Sequence, residues 1–160
     1  MNNIVFLDVD GVLNCKDTVD HCGPFKGIED KKVALLKKIV ESTNSRIVLV
    51  SSWKEWWYKE PELKNDQDFM ATYLDMKLAK QGLTIVDKTD DYDAFDRGGG
   101  ILKYIENLKR GGICAINFII IDDEMFDYEE TNLVNNLVKT DFYDGGLSEK
   151  HVKEAIDKLC

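Results

Sequence analysis

The chain has 160 residues, of which 44% are hydrophobic and 32% are charged, and its formal net charge at pH 7 is −9. This composition excludes a disordered chain, and the length predicts a single domain over residues 1–160. The acidic balance argues against extended nucleic-acid binding, and the lack of a long apolar run or a basic leader predicts no membrane contact and a cytoplasmic location.

The first predicted element is a buried β-strand at residues 4–7, which is followed by Asp8, Asp10 and Gly11. Residues two apart in an extended chain face the same way, so Asp8 and Asp10 converge just beyond the carboxyl end of this strand. Ligands bind at that edge in open α/β sheets. Because paired carboxylates repel each other, such a pair usually holds a divalent cation or shares protons.

Residues 12–28 are rich in turn-forming types and predict a flap over these acids. Zinc bound by Cys15, His21 and Cys22 is a minor alternative here, because the spacing matches no common zinc site and a fourth ligand is missing. The four cysteines of the chain are scattered, so we expect no disulfide framework.

A helix is predicted over roughly 29–42, where apolar residues recur at helical spacing. The strand that follows, at about 46–50, delivers Ser51 to the same sheet edge as the acids. Its neighbour Ser52 adds a second hydroxyl there.

Residues 53–82 are predicted to be helical, with Pro61 dividing them into two helices. Trp53, Trp56 and Trp57 would then share one face, which favours packing against the sheet. Trp53 is the exception we consider, because it lies nearest the second strand and could be a platform for a base.

A third strand is predicted at 82–86, and an acidic loop at 87–96 leads to Arg97 and three glycines that begin a helix. Glycines at a helix start present backbone amides and a positive dipole end, which favour an anion. Arg97 suits phosphate, but an arginine after an acidic loop is equally consistent with a salt bridge. Both interpretations stay open.

A further apolar strand delivers Asp122 and Asp123 to the same edge, with Asp127 as a candidate outer carboxylate. A fifth strand is predicted within 132–139, and the last helix begins near Ser148. Strands that alternate with helices predict a three-layer, Rossmann-like, doubly wound α/β fold with about five mostly parallel strands.

A cluster of carboxylates with hydroxyls and one cation suits phosphoryl chemistry on Mg²⁺, which prefers hard oxygen ligands. Neither histidine, His21 nor His151, lies near these motifs. This argues against zinc or a histidine base, so we predict Mg²⁺ as the cofactor.

These motifs resemble those of the haloacid dehalogenase (HAD) superfamily of phosphohydrolases. The first HAD motif matches residues 6–13, the second matches Ser51, and the fourth matches residues 121–123. The third motif needs a lysine or arginine, for which Arg97 fits best and Lys103 is the fallback. No large cap domain fits between these motifs.

The resemblance implies a role for each acid. Asp8 would be the nucleophile that forms an aspartyl-phosphate, and Asp10 would be the acid and then the base. Magnesium would be held by Asp8, by the backbone carbonyl of Asp10, and by Asp122, with Asp123 as a further ligand or orienter. Ser51, Ser52 and Arg97 would bind the phosphoryl group.

A narrower resemblance is to the compact HAD domains predicted in Swiss Army Knife RNA repair proteins. It is visible in Leu13-Asn14, in residues 51–54 and 97–98, in the acids at 122–123, and in residues 144–148. The implied substrate is a phosphorylated small molecule such as a nucleotide, or a nucleic-acid end in RNA or DNA repair.

The alternative is a non-catalytic, Mg²⁺-binding regulatory or partner domain of the receiver type. A response-regulator receiver is also doubly wound and also uses an aspartyl-phosphate. Its middle strand, however, ends in the phosphorylated aspartate, whereas here the middle strand ends in Ser51. This order favours the phosphatase.

Overall fold

The computed structural model describes residues 2–91 and 95–160. In chain order its strands are β1 (Asn2–Leu7), β2 (His21–Cys22), β3 (Phe25–Lys26), β4 (Ser45–Leu49), β5 (Ile85–Lys88), β6 (Ile116–Asp122) and β7 (Leu137–Lys139). Its helices are α1 (Asp30–Thr43), α2 (Phe69–Ala79), α3 (Arg97–Arg110) and α4 (Glu149–Leu159). The acidic loop predicted before α3 is described except for residues 92–94.

Five strands form one parallel sheet in the order β5-β4-β1-β6-β7. The first strand, β1, therefore lies at the centre, between β4 and β6. Helices cover both faces of the sheet, which confirms the predicted HAD-like α/β fold with five parallel strands.

The central strand is buried on both faces. Val5 and Leu7 belong to the core that includes α1, α2 and α4, whereas Ile4 and Phe6 belong to the core beneath α3. Full burial of each such side chain stabilises the fold by about 1.5–3 kcal/mol. Burial on both faces therefore fixes β1 firmly and, with it, the position of the acids that follow.

The predicted flap contains a short hairpin of β2 and β3. The hairpin region contacts α2, because the Ile28 N–H donates to the Tyr73 hydroxyl at 3.0 Å and the Phe69 ring lies close to Gly23. Within the described residues no separate cap domain interrupts the sheet. Each helix described is too short or too polar to cross a membrane.

The helical prediction for residues 53–82 is wrong in its first half. Only α2 is an α-helix there, and it is preceded by two short 3-10 turns at Ser52–Lys54 and Pro61–Asp66. Asp68 fixes the start of α2, because its carboxylate accepts a hydrogen bond from the Ala71 N–H at 2.8 Å. Consequently the three tryptophans do not share a face: two of them are buried, whereas Trp56 is 52% exposed.

One strand begins later than predicted, and another occupies only part of its predicted segment. The turn after α2 continues to Gly82, which is left-handed (φ 76°), and β5 begins only at Ile85. Similarly, Val134–Asn136 forms a 3-10 turn, which shortens the predicted fifth strand to the three residues of β7.

Candidate active site

Three acids meet where β1 and β6 end side by side. Leu7 pairs with Ile121, and the Asp8 N–H donates to the Ile121 carbonyl at 2.9 Å. Asp8, Asp122 and Asp123 each place one carboxylate oxygen within 4.8 Å of the others. Asp8 and Asp122 are buried and Asp123 is half-buried. We call these three residues the acid cluster.

The acid cluster is electrostatically strained. Burial raises the pKa of Asp8 well above its ordinary value and Asp122 raises it further, whereas Arg97 opposes the rise. Burial, together with Asp122, raises the pKa of Asp123 to about 6. A bound divalent cation would favour the ionised form of both acids. Hard oxygen donors at this spacing therefore fit an ion such as Mg²⁺.

Arg97 begins α3 and points its guanidinium at the acid cluster. Its Nη1 lies 3.1 Å from Asp8 Oδ1 and donates to Asp122 Oδ2 at 2.8 Å. The guanidinium carbon also lies 4.0 Å from the centre of the Phe126 ring. Although burial disfavours the charged form, Asp8 and Asp122 raise the pKa of Arg97 above its ordinary value. Arg97 is therefore a permanent cation beside Asp8.

Lys103, the other candidate for the third motif, does not contact the acid cluster. Lys103 lies on the exposed side of α3, where it lines a small separate cavity with Lys88 and Asp90. The structure therefore brings Arg97, rather than Lys103, into contact with Asp8.

The glycine-rich start of α3 does attract an anion, but that anion belongs to the chain itself. The N–H groups of Gly98 and Gly99 donate to the two carboxylate oxygens of Asp127 at 2.7 and 3.1 Å. Asp127 is thus a cap for α3 rather than an outer member of the acid cluster. The positive end of the helix dipole is satisfied internally.

Asp10 lies outside the acid cluster and is held by two donors. Its Oδ1 accepts from Asn14 Nδ2 and its Oδ2 accepts from Trp53 Nε1, both at 2.9 Å. Asn14 is itself fixed, because its side-chain oxygen accepts from the Gly11 N–H at 2.9 Å. The Asp10 carboxylate is not among the side-chain oxygens that lie within 4.8 Å of one another in the acid cluster.

Trp53 binds Asp10 and is not placed to stack on a base. The ring is 3% exposed, which leaves no platform for a base, and the indole N–H is used as a hydrogen-bond donor to Asp10. The sequence indicated that Trp53 lies near the site. It gave no signal for Asn14 as a partner of Asp10.

Tyr128 is a further contact that sequence reasoning missed. This fully buried residue donates its hydroxyl to Asp122 Oδ2 at 2.7 Å. Tyr128 and Arg97 therefore share one oxygen of Asp122 and orient that carboxylate. Tyr128 lies six positions after Asp122 in a turn region without periodicity, so no sequence pattern links the two.

Gly11 allows the side chain of Asp123 to approach the backbone that follows β1. It adopts a left-handed conformation (φ 77°), and a Cβ placed on it would lie 2.0 Å from Asp123 Oδ2. Its carbonyl accepts a hydrogen bond from the Thr140 hydroxyl at 2.7 Å. Only glycine satisfies both the backbone conformation and this close approach.

Ser51 and Ser52 follow β4 on the other side of Asp8. Ser51 is buried, and its hydroxyl accepts from the Trp53 N–H at 3.2 Å. Ser52 is exposed and lines a cavity of about 600 Å³ together with Lys54 and Arg97. We call it the Arg97 cavity; the other described residues that line it are Val50, Glu55, Asp91, Phe95 and Phe126.

Lys54 is a second cation at this cavity and was not expected from the sequence. Its amino group lies 2.5 Å from Asp91 Oδ2 and donates to Thr89 Oγ1 at 2.9 Å. Burial lowers the pKa of Lys54, and the interaction with Asp91 opposes that shift.

Comparison with known proteins identifies the family of this chain. No curated protein and no solved structure matches the chain. The family model of the HAD domain in Swiss Army Knife RNA repair proteins, however, matches residues 4–152. That range includes the acid cluster, Asp10 and Arg97. At the family level this supports a phosphatase-type hydrolase in RNA repair. The chain belongs to the family of HAD domains in Swiss Army Knife RNA repair proteins.

Proposed function

We propose that this protein is a Mg²⁺-dependent phosphomonoester hydrolase that works through an aspartyl-phosphate on Asp8. Its substrate would be a nucleotide or the phosphorylated end of a polynucleotide, and its domain would extend over residues 1–160. The observation that carries this proposal is the contact between Asp8 and Arg97 at 3.1 Å inside a cluster of three carboxylates. Membership of the HAD family supports the reaction class.

Magnesium would be held by Asp8, Asp122 and Asp123, with the Asp10 carbonyl as a further ligand. The raised pKa values of Asp8 and Asp123 support this choice, because both acids repel their neighbours when no cation separates them. When bound, the ion would neutralise charge on the phosphoryl oxygens.

Asp8 would attack phosphorus, so that a bond forms between its carboxylate oxygen and phosphorus while the ester bond to the leaving oxygen breaks. A phosphate dianion is repelled by a carboxylate unless cations and donors surround it. Arg97 would supply one fixed positive charge, and Ser51 and Ser52 would supply hydroxyl donors. The aspartyl-phosphate would then be hydrolysed by water.

Asp10 would donate a proton to the leaving oxygen and later accept one from the attacking water. Asn14 and Trp53 each donate to one oxygen of this carboxylate, which restrains its rotation. Each oxygen keeps a second lone pair that can carry the proton. Asp10 is exposed, so the proton can exchange with solvent.

The net charge of −9 supports a substrate that is gripped at its phosphorylated end rather than along a strand. Tight binding over many phosphates would need a basic surface. A nucleotide or a single strand end needs cations only where its phosphate binds.

The test is phosphate release from an aryl phosphate, nucleoside monophosphates, and oligonucleotides with a 3′- or 5′-phosphate, with and without Mg²⁺. Asp8→Asn should abolish release while the protein stays folded, and Asp157→Asn, an exposed change on α4, should behave like the wild type. If a folded, Mg²⁺-binding protein releases no phosphate from any substrate, the phosphatase is wrong. A non-catalytic metal-binding domain then becomes the better account.

A further inference from the structure

The Arg97 cavity borders the proposed nucleophile, Asp8, through the side chain of Arg97. Arg97 lines the cavity and at the same time lies 3.1 Å from Asp8. A substrate whose phosphoryl group is bound by Arg97 and Ser52 can therefore place the rest of its molecule in this cavity. The volume of about 600 Å³ is within the range of small-molecule sites and is large enough for one nucleoside.

Part of the wall of the Arg97 cavity is apolar. Val50, Phe95 and Phe126 contribute apolar side chains, and the Phe95 ring is 74% exposed. An aromatic ring at a cavity wall can stack on the base of a ligand, which contributes about 1–3 kcal/mol per base. Phe126 adopts a left-handed conformation (φ 43°), which is unfavourable for a bulky residue and is often retained at functional sites.

The cations of the Arg97 cavity are already paired. Lys54 lies 2.5 Å from Asp91, and Arg97 contacts both Asp8 and Asp122. Glu55 also lines the cavity. Among the described lining residues, therefore, no unpaired positive charge is present that could bind a second phosphate. The cavity is therefore poorly suited to a second phosphate, and its apolar side chains are left to contact the rest of the substrate.

A second cavity beside the acids is a poorer match. It has a volume of about 380 Å³, and the described residues that line it include four acids, Asp10, Asp123, Glu124 and Asp141, and one cation, Lys139. We call it the Asp10 cavity. Its four carboxylates would repel an anionic substrate. Tyr143, which also lines it and is exposed, makes it the natural competitor in a test.

We propose that the Arg97 cavity binds the aromatic base of a single nucleoside, whose phosphate is the group removed, and that Phe95 is its stacking surface. This inference rests on the proposed phosphatase and specifies its substrate. Selectivity would come from one base rather than from a run of backbone phosphates. The base could belong to a free nucleotide or to the terminal nucleotide of a strand.

The experiment compares kcat/KM for adenosine 3′- and 5′-monophosphate, a trinucleotide with a terminal phosphate, and glycerol phosphate, which has no ring. In Phe95→Ala the ratio of kcat/KM for a nucleotide to kcat/KM for glycerol phosphate should fall about 5- to 100-fold, the usual range for one lost base stack. Phe69→Ala is the matched control, because Phe69 is also exposed but lies against Gly23 of the hairpin. That variant should keep the wild-type ratio.

The outcomes separate the possible sources of the base. A fall in the ratio for the mononucleotides supports the proposal with a free nucleotide as substrate, and a fall for the trinucleotide alone supports it with a strand end. An unchanged ratio for all nucleotides overturns it. A fall in Tyr143→Ala instead of Phe95→Ala also overturns it, because the base then lies in the Asp10 cavity.

A binding measurement keeps this inference separate from the reaction. Calorimetry of adenosine monophosphate with the Asp8→Asn protein in Mg²⁺ needs no turnover, and inorganic phosphate is the reference ligand. Adding Phe95→Ala should weaken binding of the nucleotide about 5- to 100-fold more than binding of phosphate, which is the range expected for the loss of one base stack. If wild-type phosphate release is normal but neither assay responds to Phe95→Ala, the phosphatase stands and the base site is wrong. If no phosphate is released, the binding assay alone decides on the site.

Discussion

The hydrogen bond from Trp53 to Asp10 can be removed with little other change to the site. Trp53→Phe deletes the N–H that Asp10 Oδ2 accepts at 2.9 Å and keeps an aromatic ring in a position that is 3% exposed. Asn14 would remain as the second donor, so Asp10 could rotate about a single restraint. We expect kcat to fall with little change in KM, because Asp10 acts on the leaving oxygen in the transition state.

The size of the effect follows from the bond that is lost. A hydrogen bond to a charged group contributes about 1.5–3 kcal/mol, and the lower end applies here because water can reach the exposed Asp10. If that energy is lost in the transition state, kcat falls roughly 10-fold. A total loss of general acid catalysis, about 10²- to 10⁴-fold, sets the upper limit.

Trp57 provides a matched control. Trp57 is 1% exposed, and its indole N–H donates to Asp75 Oδ1 at 2.9 Å. Trp57→Phe should therefore lose a similar free energy of unfolding and keep the wild-type kcat. The assays are steady-state phosphate release and urea unfolding of both variants. Equal losses of kcat in the two variants, or a wild-type kcat in Trp53→Phe, would refute the positioning role.

Three further predictions concern the acid cluster. Gly11→Ala would place its Cβ 2.0 Å from Asp123 Oδ2 and should lower both stability and phosphate release. Gly82→Ala is the control, because Gly82 is also left-handed (φ 76°) but its nearest contact lies at 3.8 Å. That variant should lose only about 1–2 kcal/mol of unfolding free energy to backbone strain, measured in urea, and should keep its activity. The raised pKa of Asp123 means that the folded state binds the carboxyl proton more tightly than the unfolded chain does, so the stability of the metal-free protein should fall as pH rises from about 3.8 to about 6. Asp123→Asn should flatten this dependence of stability on pH. An unchanged dependence in the variant would contradict the role given to Asp123. Tyr128→Phe removes a donor 2.7 Å from Asp122 Oδ2 and should weaken Mg²⁺ binding about 10- to 100-fold in a titration, whereas wild-type affinity would show that Tyr128 does not orient that ligand.

The sheet and the acid cluster could be predicted because one pattern determines both. Strands that are apolar throughout, such as residues 4–7 and 118–121, must be covered on both faces, which is typical of a parallel sheet. Parallel strands end at the same edge, so Asp8 and the pair at 122–123 were expected along it, and the pairing of β1 with β6 brings them together. Arg97 reaches the same place because α3 begins with it.

The contacts that hold the site could not be read from spacing. Asp10 meets Trp53 across 43 positions, and this contact depends on a 3-10 turn where a helix was predicted. The start of α3 was correctly seen as an anion site, but its occupant, Asp127, comes from a turn after β6. Such contacts depend on how separate segments pack, which residue spacing within one segment does not specify.

The measurement that tests the central claim most directly is capture of the phosphorylated enzyme. A substrate with a labelled phosphoryl group is mixed with the protein and Mg²⁺, the reaction is quenched in acid within one turnover, and the peptides are mapped by mass spectrometry. We predict label on the peptide that contains Asp8, its release by hydroxylamine as expected for an acyl phosphate, and no label in Asp8→Asn. Turnover with no label on Asp8, or with label on another residue, would contradict the proposed mechanism.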